Sequence, residues 1–163
     1  MDVRFVAITD ENIDHVHEVY NYYVDHSTVT FHLEAISLEE MKGMLPANKE
    51  MYPSYVVMAD GEPSGYCYLS NFRKKEAYDI TAEITVYLAP GATKRGLGSI
   101  VLNFLEDKAK ENGIKNLIAV ITGENESSVK LFSRHGYRDA ALLKNVGLKF
   151  NRLLDVFWYQ KEI

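Results

Sequence analysis

The sequence predicts a mixed α/β (α+β) fold built on a mostly antiparallel sheet. Three observations predict it. β-prone runs over 54–60, 65–72 and 80–88 follow one another around the Asp60-Gly61 turn signal, the order expected of neighbouring antiparallel strands. After Gly96-Leu97-Gly98, the residues Leu97, Ile100, Val101, Phe104, Leu105, Lys108 and Ala109 recur at the spacing of one buried helix face. A length of 163 residues with 47% apolar content is enough to cover such a sheet with one core, so one domain over 1–163 is expected.

Taken in order, Val3 to Ile8 reads as the first strand. Thr9-Asp10 offers a helix cap, and Ile13, Val16, Tyr20, Tyr23 and Val24 form the apolar stripe that follows. Ser37-Leu38-Glu39-Glu40 is a capping box opening a short second helix that ends near Pro46. The runs 54–60 and 65–72 form a hairpin, with Pro63 expected to lengthen its turn beyond two residues. A strand over Ile80 to Leu88, the glycine turn and the third helix come next. A buried strand over Leu117 to Ile121 precedes a helix from about Glu124 to His135. Gly136 supplies the left-handed position that ends this helix. Two strands ending near Tyr159 complete about seven strands and about four helices.

Composition narrows the function. A net charge of −5 argues against a dedicated nucleic-acid binder. No apolar run reaches the 18 or so residues of a membrane span, and Met-Asp-Val-Arg-Phe lacks the regions of a signal peptide. The single cysteine, Cys67, suits a reducing compartment, so a cytoplasmic protein is expected. His15 and His17 lie two apart and share no helix face, and the other histidines are scattered, so no metal site is expected.

Several constellations can carry chemistry. A glycine turn opening a helix presents unpaired N–H groups and the positive end of the helix dipole, which suits a phosphate. Thr93 to Ser99 lacks the third glycine of a dinucleotide loop and the Lys-Ser/Thr ending of a nucleoside-triphosphate loop. Glu83 lies mid-strand, sharing a face with Thr81, Thr85 and Tyr87, while Ala82, Ile84, Val86 and Leu88 fill the other. Partial burial there would raise its pKa towards that of a general base, although a solvated face or a salt bridge to Arg73 or Lys75 also accounts for it. The run Arg73-Lys74-Lys75 is either a solvated loop or a clamp for a carboxylate. Asn125, with Ser127 and Ser128, caps a helix or binds a ligand amide or phosphate. Ser27 to Phe31 is a connecting loop or one wall of an acceptor pocket. Val146 to Val156 reads as a hairpin edge with surface charges.

This order of motifs resembles the GNAT N-acetyltransferase superfamily. The closer similarity is to the phosphinothricin and methionine sulfone/sulfoximine N-acetyltransferases, over essentially the whole chain. The markers are Tyr20-Asn21, Thr30-Phe31, Phe72-Arg73 with Ala77-Tyr78, Thr81 to Tyr87, and Gly96-Leu97-Gly98-Ser99. Further along come Asn125 with Ser127-Ser128, His135-Gly136-Tyr137, Val146-Gly147 with Lys149-Phe150, and Arg152 with Asp155.

The resemblance implies splayed central strands, a homodimer, and acetyl-CoA as co-substrate without a metal. It implies that Lys94, Arg95, Gly96, Leu97, Gly98 and Ser99 cradle the pyrophosphate. Val86, Tyr87 and Leu88 would pair with the pantetheine arm, and Asn125 and Ser128 would hold it from the neighbouring helix. Thr30, Phe31, Arg73, Lys75, Tyr78 and Thr85 would surround the acceptor, with Glu83 the base that frees its amine for direct attack in a ternary complex.

The chain departs from the pattern at several positions. Thr93 stands where the superfamily usually has Arg or Gln, and Lys94 where this subfamily usually has Gly. Phe132 replaces a tyrosine or histidine acid, Leu153 a tryptophan and Lys75 an arginine. These departures leave open a peptide, polyamine or protein amine as acceptor, and also a non-catalytic acyl-CoA binder.

Overall fold

The computed structural model describes residues 1–93 and 95–163; Lys94 lies outside the described residues. The strands are β1 (Val3–Ala7), β2 (Ser54–Ala59), β3 (Glu62–Asn71), β4 (Thr81–Leu88), β5 (Asn116–Thr122), β6 (Arg138–Lys149) and β7 (Arg152–Glu162). The helices are α1 (Ile13–His26), α2 (Leu38–Met44), α3 (Leu97–Glu111) and α4 (Glu126–Arg134). Single 3₁₀ turns lie at Glu76–Tyr78 and Pro90–Ala92. No helix among the described residues is long and apolar enough to cross a membrane.

The strands form one sheet in the order β1-β2-β3-β4-β5-β7-β6. All neighbours are antiparallel except β4 and β5. That parallel pair requires a crossover, which α3 provides. Strand alternation then divides the core. Val57, Cys67, Leu69, Ala82, Ile84, Leu117, Ala119 and Ile121 face α3 and α4. Val56 and Tyr66 face α1 and α2, against Val16, Tyr20, Val24 and Met41.

Two local expectations need correction. Thr9-Asp10 does not cap α1: the helix starts at Ile13, preceded by Asn12. The Asn12 side chain turns back, accepting from the Thr9 N–H (2.9 Å) and donating to the Ala7 carbonyl (2.9 Å). Thr9 and Asp10 therefore belong to the turn before the helix. Pro63 does not lengthen the β2–β3 turn either. Ala59 pairs with Glu62 across Asp60 and Gly61, which both take positive φ (53° and 87°), giving a two-residue hairpin turn. Pro63 sits inside β3, at the register shift beside Val57 and Met58, where a bulge tolerates its missing N–H.

Elsewhere the elements match. Ser37 and Glu40 exchange both bonds of the capping box, and His135-Gly136 ends α4 with Gly136 at φ +85°. The β6–β7 hairpin turns on Phe150 and Asn151, and β7 runs on to Glu162 rather than stopping near Tyr159.

Candidate active site

β4 and β5 pair only through Thr81–Asn116, Ala82–Leu117 and Glu83–Ile118. Beyond these the strands splay, although β4 continues to Leu88 and β5 to Thr122. The sheet therefore opens between its two central strands. The gap belongs to a cleft of about 760 Å³, a size that suits a cofactor-sized ligand.

The backbone chemistry of the gap follows from the ladder. The Ala89 N–H bonds Ser64 O on the β3 side, and Ile80 O accepts from Lys115 and Asn116 on the β5 side. Alternation between these two fixed points turns the backbone groups of Thr81, Glu83, Thr85 and Tyr87 towards β3. Those of Ile84, Val86 and Leu88 face β5, where the Glu83–Ile118 pairing engages the Ile84 N–H and no strand pairs with the groups beyond it. Tyr23 Oη donates to Leu88 O (2.6 Å), so the Ile84 carbonyl and both groups of Val86 carry the open positions. Buried backbone groups of this kind demand partners. Of the three residues expected to pair with a ligand arm, Val86 has the right orientation. Tyr87 is turned to Tyr66 and Leu88 is partly occupied. Ile84, which the sequence reading missed, shares the parity of Val86.

One end of the cleft is the start of α3. Gly96 adopts φ +78° and caps the helix with no side-chain bond, while the Ser99 N–H bonds Gly96 O (3.2 Å). Gly98 and Ser99 line the cleft beside it. A Cβ on Gly98 would stand 3.1 Å from Leu131 Cδ2, so glycine here also lets α4 approach α3. The Leu97 side chain is buried in the core and does not line the cleft. Arg95 is ion-paired with Asp60 in the β2–β3 turn (2.9 Å), and Thr93 Oγ1 donates to Pro90 O (3.2 Å). Thr93 thus closes the 3₁₀ turn.

Asn125 and α4 form the facing wall. Asn125 Oδ1 accepts from the Ser128 N–H (3.2 Å) and from Ser127 Oγ (3.0 Å). Its cap uses the oxygen, which leaves the Nδ2 donors for a ligand. Lys130 and Arg134, one turn apart on α4, also line the cleft; Lys130 is ion-paired with Glu126 (3.1 Å). Both were missed, and their i,i+4 spacing after Asn125 was the readable signal.

The other end holds Glu83, Thr85, Tyr68, Tyr87, Tyr20, Thr30 and Phe31. Burial pushes the Glu83 carboxyl up, with nearby Arg73 opposing the shift. No salt bridge engages Glu83 among the described residues. Burial also raises the neighbouring phenols, Tyr68 to about 12, so they stay neutral. Arg73, Lys75 and Tyr78 do not line the cleft. They stand exposed on the β3–β4 connection, near the Glu83 end of β4, and the Arg73 guanidinium lies over the Phe72 and Trp158 rings (4.3 and 5.4 Å to the centroids). Phe132 is buried edge-on against Tyr137 and carries no proton to give.

A splayed pair of central strands beside a glycine-opened helix is a fold-level signature, and comparison with known proteins gives it a family. The model of the acetyltransferase (GNAT) domain matches residues 5–158. The chain belongs to the GNAT acetyltransferase family. It is 35% identical to a phosphinothricin N-acetyltransferase of Streptomyces coelicolor, over 94% of this chain and 92% of that one. It is 27% identical to an L-methionine sulfoximine/L-methionine sulfone acetyltransferase of Salmonella typhimurium, over 100% and 95%. Among solved structures, a GNAT superfamily phosphinothricin acetyltransferase from Sinorhizobium meliloti in complex with AcCoA superposes with a TM-score of 0.92 at 28% identity. That match covers 100% of this chain and 89% of the other. The protein is thus an acetyltransferase with the GNAT fold, and its splayed central strands are those of the family.

Proposed function

We propose that this GNAT acetyltransferase moves acetyl from acetyl-CoA to the amino group of a small amino acid or amino-acid-like toxin of the phosphinothricin or methionine sulfone type. The observation that carries the reading is the β4–β5 gap, which joins Glu83 at one end to the glycine-opened start of α3 at the other. The residues present fit acetyl-CoA: N–H groups and a helix dipole for phosphate, Ile84 and Val86 backbone for an amide-bearing arm, and the Asn125 amide opposite.

Acetyl-CoA supplies an acetyl group already activated as a thioester. The chain does the rest by placement and proton transfer. Glu83 accepts a proton from the acceptor's ammonium, a step costing ~1.4 kcal/mol for each pKa unit above the ambient pH. A carboxylate whose pKa burial has raised suits that task. The Val86 N–H stands where a donor polarises the acyl oxygen, and holding both reactants in one cleft supplies proximity. Thr30, Phe31 and Thr85 border the amine. Arg73, close enough to Glu83 to oppose its shift, recognises an acceptor carboxylate at the mouth of the cleft, with Lys75 and Tyr78 beside it on the exposed connection.

With Phe132 in place the departing thiolate takes its proton from solvent, a small loss for a thiol of pKa ~8.5. Cys67 has no part, since burial pushes its thiol pKa far up. The reading extends to one domain over residues 1–163, a cytoplasmic setting and a homodimer. The exposed apolar pair Leu148 and Leu153 on the β6–β7 hairpin, each 62% exposed, supports a partner surface.

Thiol release over a panel of amines tests the acceptor. Turnover is expected with methionine sulfone, methionine sulfoximine or phosphinothricin. Turnover confined to peptides or polyamines would replace the acceptor class. Acetyl-CoA binding without turnover on any amine would make the protein a binder.

A further inference from the structure

The loop between α1 and α2 carries Thr30 and Phe31 to the cleft, yet much of what fixes it comes from the opposite wall. Thr122 Oγ1 donates to Thr28 O (2.6 Å), and Thr28 Oγ1 donates to Glu124 Oε2 (2.9 Å). Both threonines are buried. Glu124 is itself held by the Arg152 guanidinium of β7. Lys149, buried at the end of β6, donates from Nζ to Thr30 O (3.0 Å). The Phe31 ring lies where a Cβ on Gly147 would be, 2.4 Å from Cε2. From its own side, Tyr20 Oη shares hydrogen bonds with Thr30 Oγ1 (2.6 Å) and His32 Nδ1 (2.5 Å).

The chemical logic lies in sequence adjacency. Glu124 directly precedes Asn125, the α4 cap that lines the cleft. The turn 122–125 therefore touches two things at once, the cofactor wall through Asn125 and the acceptor loop through Thr122 and Glu124. The Arg152 guanidinium and, after it, the bond from Thr28 hold the Glu124 carboxyl below its ordinary value, so it stays an ionised acceptor at working pH.

We infer that Glu124 is a positioning residue coupling the two halves of the site: a CoA arm bound at Asn125 fixes the turn 122–125, which through Glu124 and Thr28 fixes the loop carrying Thr30 and Phe31. The inference rests on the proposed acetyl-CoA site and concerns how that site prepares the acceptor pocket. Cofactor binding then raises acceptor affinity, and by reciprocity the acceptor raises cofactor affinity by the same factor.

The test uses CoA, which occupies the cleft without transferring an acyl group, and needs no acceptor. Amide hydrogen exchange is followed at residues 96–101 and 27–33 in the full chain. CoA is expected to slow exchange at both, with at least about fivefold slowing at 27–33, the lower end of usual couplings. In Thr28→Val, which removes the hydroxyl and keeps the shape, slowing at 96–101 persists while that at 27–33 falls below about twofold. Glu124→Gln, which keeps the size of the acceptor and loses its charge, reduces the same response. A merely structural contact would raise exchange at 27–33 in the variants without changing its response to CoA. Slowing at 96–101 with none at 27–33 in the parent protein would overturn the inference while leaving the CoA site standing. An undiminished response in both variants would also overturn it. Slowing at neither segment would overturn the CoA site, and the coupling with it.

Discussion

Glu83→Gln is expected to lower turnover by about 10²- to 10⁴-fold, the usual size of an acid–base contribution. Glutamine keeps the shape and the hydrogen-bonding reach and loses only the ability to take a proton. Acetyl-CoA affinity should not change, because the phosphate-binding turn lies at the far end of the cleft. The pH dependence has a definite sign. Burial raises the Glu83 pKa in the folded protein, so kcat/KM of the parent should rise with pH through a value above the ordinary carboxylate range. The variant should lose that inflection.

Stability moves the opposite way. A carboxyl with a raised folded pKa binds its proton more tightly when folded, so its charge penalises folding above that pKa and not below the unfolded value. Glu83→Gln should therefore raise the melting temperature at pH 7, and the gain should vanish below about pH 4. Equal turnover in parent and variant would remove Glu83 as the base.

Gly98→Val is expected to weaken acetyl-CoA binding by about 5- to 150-fold, from the roughly 1–3 kcal/mol that overpacking costs a close-packed site. Its Cβ alone would reach 3.1 Å from Leu131, and two further methyls would project into the wall between α3 and α4. Titration of acetyl-CoA followed by intrinsic fluorescence or calorimetry measures the change. An unaltered dissociation constant would contradict the placement of the phosphate site at the start of α3. The melting temperature checks that the variant is folded, since part of the cost falls on packing.

What the sequence made legible was local. The alternation of Thr81 to Leu88, the Ser37 capping box and the Asn125 cap are each written within a few residues and found where expected. The face after Gly96 holds at Leu97, Val101, Leu105 and Ala109 but leaves Ile100 exposed and buries Leu102 and Glu106 instead. What stayed hidden depends on long-range geometry. That Val86 faces the gap while Tyr87 faces β3 follows from ladder phase, which only the pairing with Ser64 and Asn116 reveals. The bond from Lys149 to Thr30 and the bonds from Thr122 and Thr28 join residues some 90 to 120 apart in sequence. Nothing in the run Val146 to Val156 distinguishes a lysine buried against a carbonyl from the solvated charges beside it. The basic run at Arg73 shows the opposite limit. Its charge was readable, but its position outside the cleft was set by stacking on Phe72 and Trp158, and Trp158 comes from β7.

The most direct measurement of the account is a crystal structure with CoA and methionine sulfone bound together, a pair that cannot react. The account predicts the pantetheine arm lying in the β4–β5 gap against the backbone of Ile84 and Val86, the pyrophosphate at the Gly96–Ser99 turn, and the amine beside Glu83. A CoA arm bound outside that gap, or an amine bound away from Glu83, would contradict it.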